Sequence, residues 1–320
     1  MGQLVNGVWQ SGDVRGAPGD GNFKRKDSAF REWIRDDPSA RFQPAAGRYH
    51  LYVSYACPWA HRALIFRSLK GLESMIGVTV VDPLMLENGW HFTDQHPDTL
   101  HGAEYLHQIY ARADPEYTGR VTVPVLWDTK EGTIVNNESA EIIRMFNSAF
   151  DRVGAKPGDY YPADLADEID TVNARIYETV NNGVYKAGFA TRQAAYEDAF
   201  DALFDTLDWL EQRLSTQRYL LGERVTEADW RLLPTLLRFD PVYHGHFKCN
   251  RCHIADFPNL WGYTRELYQW PGVAATVHLD HIKKHYYASH RSVNPTGIVP
   301  KGPRLDFAEP HGRERLRALP

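Results

Sequence analysis

The chain predicts a mixed α/β domain followed by an all-helical one. Two observations carry that expectation. From Arg48 to Phe150 the pattern reads strand, helix, strand, a long break, then strand, strand, helix. Beyond Pro162, apolar residues recur at helical spacing. The length of 320 residues suits two domains. We therefore expect an extension over 1–45 and an α/β domain over 46–150, with a long insertion at 82–119. Residues 151–162, with Gly154, Pro157, Gly158 and Pro162, read as a linker. A helical domain with an extended tail is expected over 163–320.

Taken in order, the extension begins polar and Gly-rich, and a short helix is expected over Ser28–Ile34. Phe23, Phe30 and Trp33 give this segment aromatic anchors, as a cover for a cleft or as a surface arm. Tyr49–Tyr55 reads as a strand. Pro58 opens a helix to about Leu72, since proline is tolerated where no intrahelical N–H is needed. Ile65, Leu69 and Leu72 share one face of that helix. Ile76–Val81 is β-branched and bounded by turn residues, so it reads as a strand. Strand, helix and strand of this size favour a parallel pair. Residues 82–119 show no clean period and include the aromatic turn Asn88-Gly-Trp-His-Phe92. A loop this long inside a compact domain is usually functional. Arg120–Trp127 and Thr133–Asn136 read as a hairpin. Pro124 inside its first strand is anomalous and calls for an edge position or a cis bond. Glu138 or Ser139 caps a helix to about Phe150.

In the second half, Leu165, Ile169, Val172, Ile176 and Val180 form one helical stripe. Tyr196, Phe200, Leu203, Phe204, Leu207, Leu210 and Leu214 form another. Thr226-Glu-Ala-Asp229 starts a third helix with the signature of a capping box. Further helices are expected near Asn259–Gln269 and Gly272–Tyr287.

Composition excludes several functions. Hydrophobic residues make up 43% and the formal net charge is −5, with no dominant basic face for a nucleic acid. The first residues lack the basic and apolar regions of a signal peptide, and no apolar run suits a membrane span. Three cysteines in 320 residues argue against a disulfide framework and for a reducing, cytoplasmic compartment.

The residue that carries chemistry is Cys57, in Tyr55-Ala-Cys-Pro-Trp-Ala-His-Arg62. It sits where a strand ends and a helix begins. The helix dipole and unpartnered N–H groups there favour thiolate over thiol. A buried structural cysteine is the plainer reading of these eight residues. Ala60 stands where the second thiol of a Cys-x-x-Cys pair would be, so turnover needs an external thiol. His61 is one helical turn further in and reads as packing or charge tuning. His244-Gly-His-Phe-Lys-Cys-Asn-Arg-Cys-His253 invites a zinc reading through Cys249 and Cys252, but no second pair stands at zinc spacing. No metal is expected.

The order of elements resembles a glutathione transferase, with a thioredoxin-like first half and a helical second half. The motif around Cys57, Asn88-Gly-Trp90, Gly119-Arg-Val-Thr-Val-Pro-Val-Leu-Trp-Asp128, Asn136-Asn-Glu-Ser139 and Lys284-His-Tyr-Tyr-Ala-Ser-His290 narrow the resemblance. Phe23-Lys-Arg-Lys-Asp-Ser-Ala-Phe30 and Gly297-Ile-Val-Pro300 add to it. Together they are similar to the glutathionyl-hydroquinone reductases, the Xi class of glutathione transferases, over nearly the whole chain.

That resemblance implies a role for each matching position. Cys57 is the nucleophile. Trp90 and Arg120 contact glutathione. Val123 pairs its backbone with the tripeptide as an added strand does. Glu138 and Ser139 hold the γ-glutamyl end. Tyr185 and Tyr286 hydrogen-bond the quinol oxygens, with Tyr287 a lesser candidate because adjacent helical residues diverge. Glutathione is the reductant, an aromatic glutathionyl-quinol the substrate, and a homodimer the expected assembly. On spacing alone these positions have plainer readings: Trp90 as core, Arg120 as a surface ion-pair partner, Glu138 and Ser139 as a cap, the tyrosines as packing. Two alternatives stay open: an omega-like thiol transferase or dehydroascorbate reductase, and a non-catalytic scaffold of the same fold.

Overall fold

The computed structural model describes residues 2–12 and 19–316. Residues 13–18 of the expected extension and 317–320 of the expected tail lie outside them. The chain divides into two compact units. The first holds the described residues of Met1–Gly16, with Lys26–Gly158 and Thr276–His285. The second holds the described residues of Ala17–Arg25, with Asp159–Ala275 and Tyr286 onward.

The first unit opens with a hairpin absent from the sequence reading, β1 (Gly2–Val5) and β2 (Val8–Ser11), paired antiparallel. Its turn is Asn6-Gly7, a strong hairpin signal between apolar residues that was available in the sequence. The main sheet follows, with β3 (Tyr49–Val53), β4 (Ile76–Val80), β5 (Val125–Asp128) and β6 (Thr133–Asn136) in the order β4-β3-β5-β6. β3 pairs parallel with β4 and antiparallel with β5. Every residue of β3 is buried, as a central strand requires. Helix α1 (Pro58–Leu69) follows β3, α2 (Leu106–Ala113) lies in the insertion, and α3 (Ser139–Ser148) follows β6.

In the first unit three expectations change. Ser28–Ile34 is not helical. It runs extended along β6, with Asn137 N–H donating to Phe30 O at 3.1 Å and Glu32 N–H to Val135 O at 3.0 Å. β6 is the sheet's edge, and its open backbone groups are worth more to this segment than a turn of helix. The strand expected over Arg120–Trp127 begins only at Val125, because a ladder cannot use proline's missing N–H. Pro124 precedes it through a cis bond from Val123. The insertion 82–119 is not all loop, since α2 buries Leu106, Ile109 and Tyr110 at i, i+3 and i+4.

The second unit is helical. It contains α4 (Ala166–Ile176), α5 (Gly183–Gly188), α6 (Gln193–Leu214), α7 (Glu227–Arg238), the single turn α8 (His244–His246) and α9 (Pro258–Tyr268). The capping box at Thr226 forms, with Asp229 Oδ2 accepting the Thr226 N–H at 2.7 Å. π-helical turns at Tyr177–Asn181 and Phe239–Tyr243 interrupt the stripes. Such turns often mark functional sites. The helix expected over Gly272–Tyr287 instead runs as α10 (Leu279–Ser289). Among the described residues, no helix is long and apolar enough to cross a membrane.

Candidate active site

Cys57 is the N-cap of α1, with φ −76° and ψ 124°, and Pro58 is the first helical residue. Its N–H donates to Ser54 O at 3.1 Å, closing the turn from β3 into the helix. Its carbonyl takes the His61 N–H at 3.0 Å, and its side chain makes no cap bond. The sulfur therefore stands at the positive end of a 12-residue helix, partly exposed. Cys57 Sγ lies 3.5 Å from Val123 O, so the residue before the cis proline borders the thiol. His61 is buried, and its Nε2 is 2.8 Å from Thr276 Oγ1, as a packing residue would be.

Glu138 caps α3: its Oε1 accepts the Ala140 N–H at 3.1 Å and its Oε2 accepts the Ser28 hydroxyl at 3.1 Å. Ser139 is buried, and its hydroxyl accepts from Arg62 at 3.4 Å. Arg62 lies on α1, so the start of α3 is tied to the helix that carries Cys57. The sequence reading overlooked Arg62 because nothing in its spacing separates it from a surface arginine. Trp90 is buried, and its ring stacks on His285 at 4.8 Å. Arg120 is half-buried at the end of the insertion, its carbonyl accepting the Tyr117 hydroxyl at 3.0 Å. The structure thus joins Cys57 to Val123 and Glu138 to Ser139. Trp90 and Arg120 sit on separate loops of the same unit, each held by its own contacts.

In the second unit, Tyr185 and Tyr286 meet at their hydroxyls, 2.5 Å apart. Tyr243 joins them, its hydroxyl 3.0 Å from that of Tyr286. Tyr243 belongs to no motif, and only the fold brings it here. Burial pushes the phenols of Tyr243 and Tyr286 well above their ordinary pKa, so both remain protonated. Tyr185 is the most exposed of the three, at 8% against 1% and 0%. Phe23 stacks on Tyr185 at 6.4 Å, and the Arg25 guanidinium lies 5.0 Å from the Tyr185 ring centroid. Arg25 is held there by Asn182, whose Oδ1 accepts its Nε–H at 3.0 Å. Tyr287 turns away and donates to Pro241 O at 3.3 Å.

Two family descriptions match this chain: "Glutathione S-transferase, N-terminal domain" over residues 56–149 and "Glutathione S-transferase, C-terminal domain" over 193–266. The glutathionyl-hydroquinone reductase YqjG of Escherichia coli is 57% identical over 98% of this chain and 99% of its own. Its glutathione-bound structure has a TM-score of 0.90, with 56% identity over 98% of this chain and 99% of that one. The glutathionyl-hydroquinone reductase PcpF of Sphingobium chlorophenolicum is 58% identical over 95% of this chain and 96% of its own. A Xi-class transferase from Natrialba magadii has a TM-score of 0.93, with 52% identity over 99% of this chain and 97% of that one.

The chain belongs to the glutathionyl-hydroquinone reductases, the Xi class of the glutathione S-transferase family. The α/β and helical halves are those of this fold. Cys249 is fully buried, burial pushes its thiol up, and its sulfur lies 3.9 Å from Phe247 O. His244 and His253 stack on each other at 3.7 Å. Among the described residues, no group of three or more His, Cys, Asp or Glu side chains is placed to hold a metal.

Proposed function

We infer that the protein reduces glutathionyl-hydroquinones to hydroquinones with glutathione as donor, the activity named for its relatives at 57–58% identity. The observation that carries the mechanism is Cys57, a monothiol at the start of α1 beside Val123 O. The Cys57 thiolate attacks the glutathione sulfur of the substrate. A sulfur–sulfur bond forms and the aryl carbon–sulfur bond breaks. Its electron pair goes to the ring carbon, which takes a proton, and hydroquinone leaves. The thiolate of a second glutathione then attacks the Cys57–glutathione mixed disulfide, releasing oxidised glutathione and the Cys57 thiolate. No second thiol stands at position 60, so glutathione itself must resolve the intermediate.

On this reading residues 46–150 bind glutathione. Trp90, Arg120, the Val123 backbone, Glu138 and Ser139 bind the tripeptide, which carries two carboxylates and an ammonium. In the helical part, within 163–320, Tyr185 and Tyr286 donate to the quinol oxygens and assist proton delivery. The reading extends to a cytoplasmic compartment, which three unbridged cysteines suit, and to a homodimer, which the family resemblance implies.

The test is mass spectrometry of Cys57 after addition of glutathionyl-hydroquinone, with turnover of Cys57→Ala measured in parallel. A glutathione adduct on Cys57 and an inactive variant are expected. Full turnover by Cys57→Ala would sink the mechanism. Sedimentation of the purified protein checks the dimer.

A further inference from the structure

We infer that the β1–β2 hairpin sets the positions of Trp90 and Arg120, and that Trp9 is a positioning residue for glutathione. This rests on the reading above that Trp90 and Arg120 contact the tripeptide. The hairpin turns through Asn6 and Gly7, with φ 48° and 74°, the left-handed pair that suits a two-residue hairpin. Gly7 is confined further, since a Cβ there would stand 1.9 Å from Pro115 O.

One side of the hairpin grips the segment that leads into Arg120. Leu4 and Gly119 exchange both backbone bonds, each 2.9 Å. The Gly7 N–H donates to Tyr117 O at 3.0 Å and the Asn6 N–H to Thr118 Oγ1 at 2.8 Å. Arg120 is the next residue. Leu4 is fully buried, so this edge is anchored.

The other side grips the turn that leads into Trp90. Trp9 Nε1–H donates to Glu87 O at 3.2 Å. Its ring lies against Gly89, where a Cβ would come within 2.9 Å of it. The same ring stacks on His107 at 4.7 Å and 16°, and His107 stacks on Tyr105 at 5.2 Å. The turn is closed by Gly89 N–H to Leu86 O at 3.0 Å, and Trp90 follows. Two loops about thirty residues apart thus end one residue beyond a shared support. Loops are the mobile parts of a fold, and a ligand that must order them binds more weakly. The hairpin removes that cost before glutathione arrives.

The experiment measures affinity for S-methylglutathione, which cannot form a disulfide with Cys57, by calorimetry. Trp9→Ala, Trp9→Phe, Val8→Ala, Arg120→Ala and Trp90→Phe are compared, each checked for folding by its melting temperature. Val8 is on the same hairpin but 65% exposed, so it controls for nonspecific effects. Trp9→Ala is expected to weaken binding roughly 5–20-fold, Arg120→Ala at least as much, and Val8→Ala less than about twofold. Trp9→Phe keeps the stack but loses the N–H and should fall between. In Trp9→Ala, KM for glutathione rises while kcat at saturation holds. A folded Trp9→Ala with unchanged affinity beside a weakened Arg120→Ala overturns the proposal and leaves the glutathione site standing. If Trp9→Ala does not fold, Trp9→Phe decides by the same criterion. Unchanged affinity in both Arg120→Ala and Trp90→Phe overturns the glutathione assignment, and this proposal with it.

Discussion

The hydroxyls of Tyr185 and Tyr286 stand 2.5 Å apart across 101 residues of sequence. Two hydroxyls this close share one hydrogen bond, and Tyr286 also meets Tyr243. The three hydroxyls form a short chain with Tyr286 at its centre. A chain of this kind can pass a donor from the buried end to the more exposed Tyr185.

Removing either end of the Tyr185–Tyr286 pair should slow the quinol reaction. Tyr185→Phe and Tyr286→Phe are each expected to lower kcat on glutathionyl-hydroquinone by about 10²-fold. Because the two groups act as a unit, the double variant should lose little more than either single one. Turnover of a small glutathione mixed disulfide, which has no quinol oxygen, should stay near wild type. Equal losses on both substrates would point to structural damage instead. Steady-state kinetics on the two substrates separates these outcomes.

Glu138 caps α3 and is also proposed to hold the γ-glutamyl end. The two roles respond differently to substitution. Glu138→Ala should lose about 1 kcal/mol of stability with the cap, and affinity for S-methylglutathione as well. Glu138→Gln keeps an acceptor for Ala140 N–H, so its melting temperature should hold while affinity falls. A Glu138→Gln protein that binds normally would leave only the cap. Thermal melts and calorimetry on both variants decide.

Acid should destabilise the first unit through His50. Its ring is buried in β3 with Nε2 2.8 Å from Thr79 Oγ1. Burial lowers its pKa from 6.5 to about 4, with Arg67 and His101 helping and Asp98 opposing. The unfolded chain therefore binds a proton between those values that the folded chain refuses. The stabilisation is complete above pH 6.5 and is lost as pH falls toward 4. The loss should reach about 3 kcal/mol. In urea melts across this window, His50→Gln should show a flatter decline than wild type. Parallel declines would remove His50 from the account.

Arg313 ties the described residues after α10 to α6 and α9. Its guanidinium is 2% exposed. It donates to the carbonyls of Leu214, Asn259, Gln217 and Arg218 at 2.7–3.2 Å and pairs with Glu266 at 3.2 Å. Arg313→Ala leaves those acceptors buried and should cost roughly 3–5 kcal/mol. Arg313→Lys should recover little, because an ammonium cannot span the same fork of acceptors. The urea midpoint of the two variants tests this.

Where local chemistry decides, the sequence was enough. Pro58 opens α1 because a first helical position needs no N–H, and that places Cys57 at the cap. Thr226 and Asp229 form their capping box from residues three apart. The stripe Leu203, Phe204, Leu207, Leu210 and Leu214 is buried along α6 as its period requires. Cys57, Trp90, Arg120, Glu138 and Ser139 were legible as candidates through their motifs.

Elsewhere distant groups overruled local preference. Ser28–Ile34 has a helical look, but the open edge of β6 draws it into extended pairing. Tyr243 carries no local mark, and Tyr286 meets it only because α10 and the π-turn at Phe239–Tyr243 converge. Nothing along the chain marks Trp9, whose indole stands against Glu87 and Gly89 only in the fold. Sequence alone determined the class of fold, the monothiol and its helix start, because those depend on neighbours along the chain. The tertiary structure decided what Val123, Tyr243 and Trp9 stand beside, because hydrogen bonds and ring contacts across tens of residues exist only after the backbone has closed.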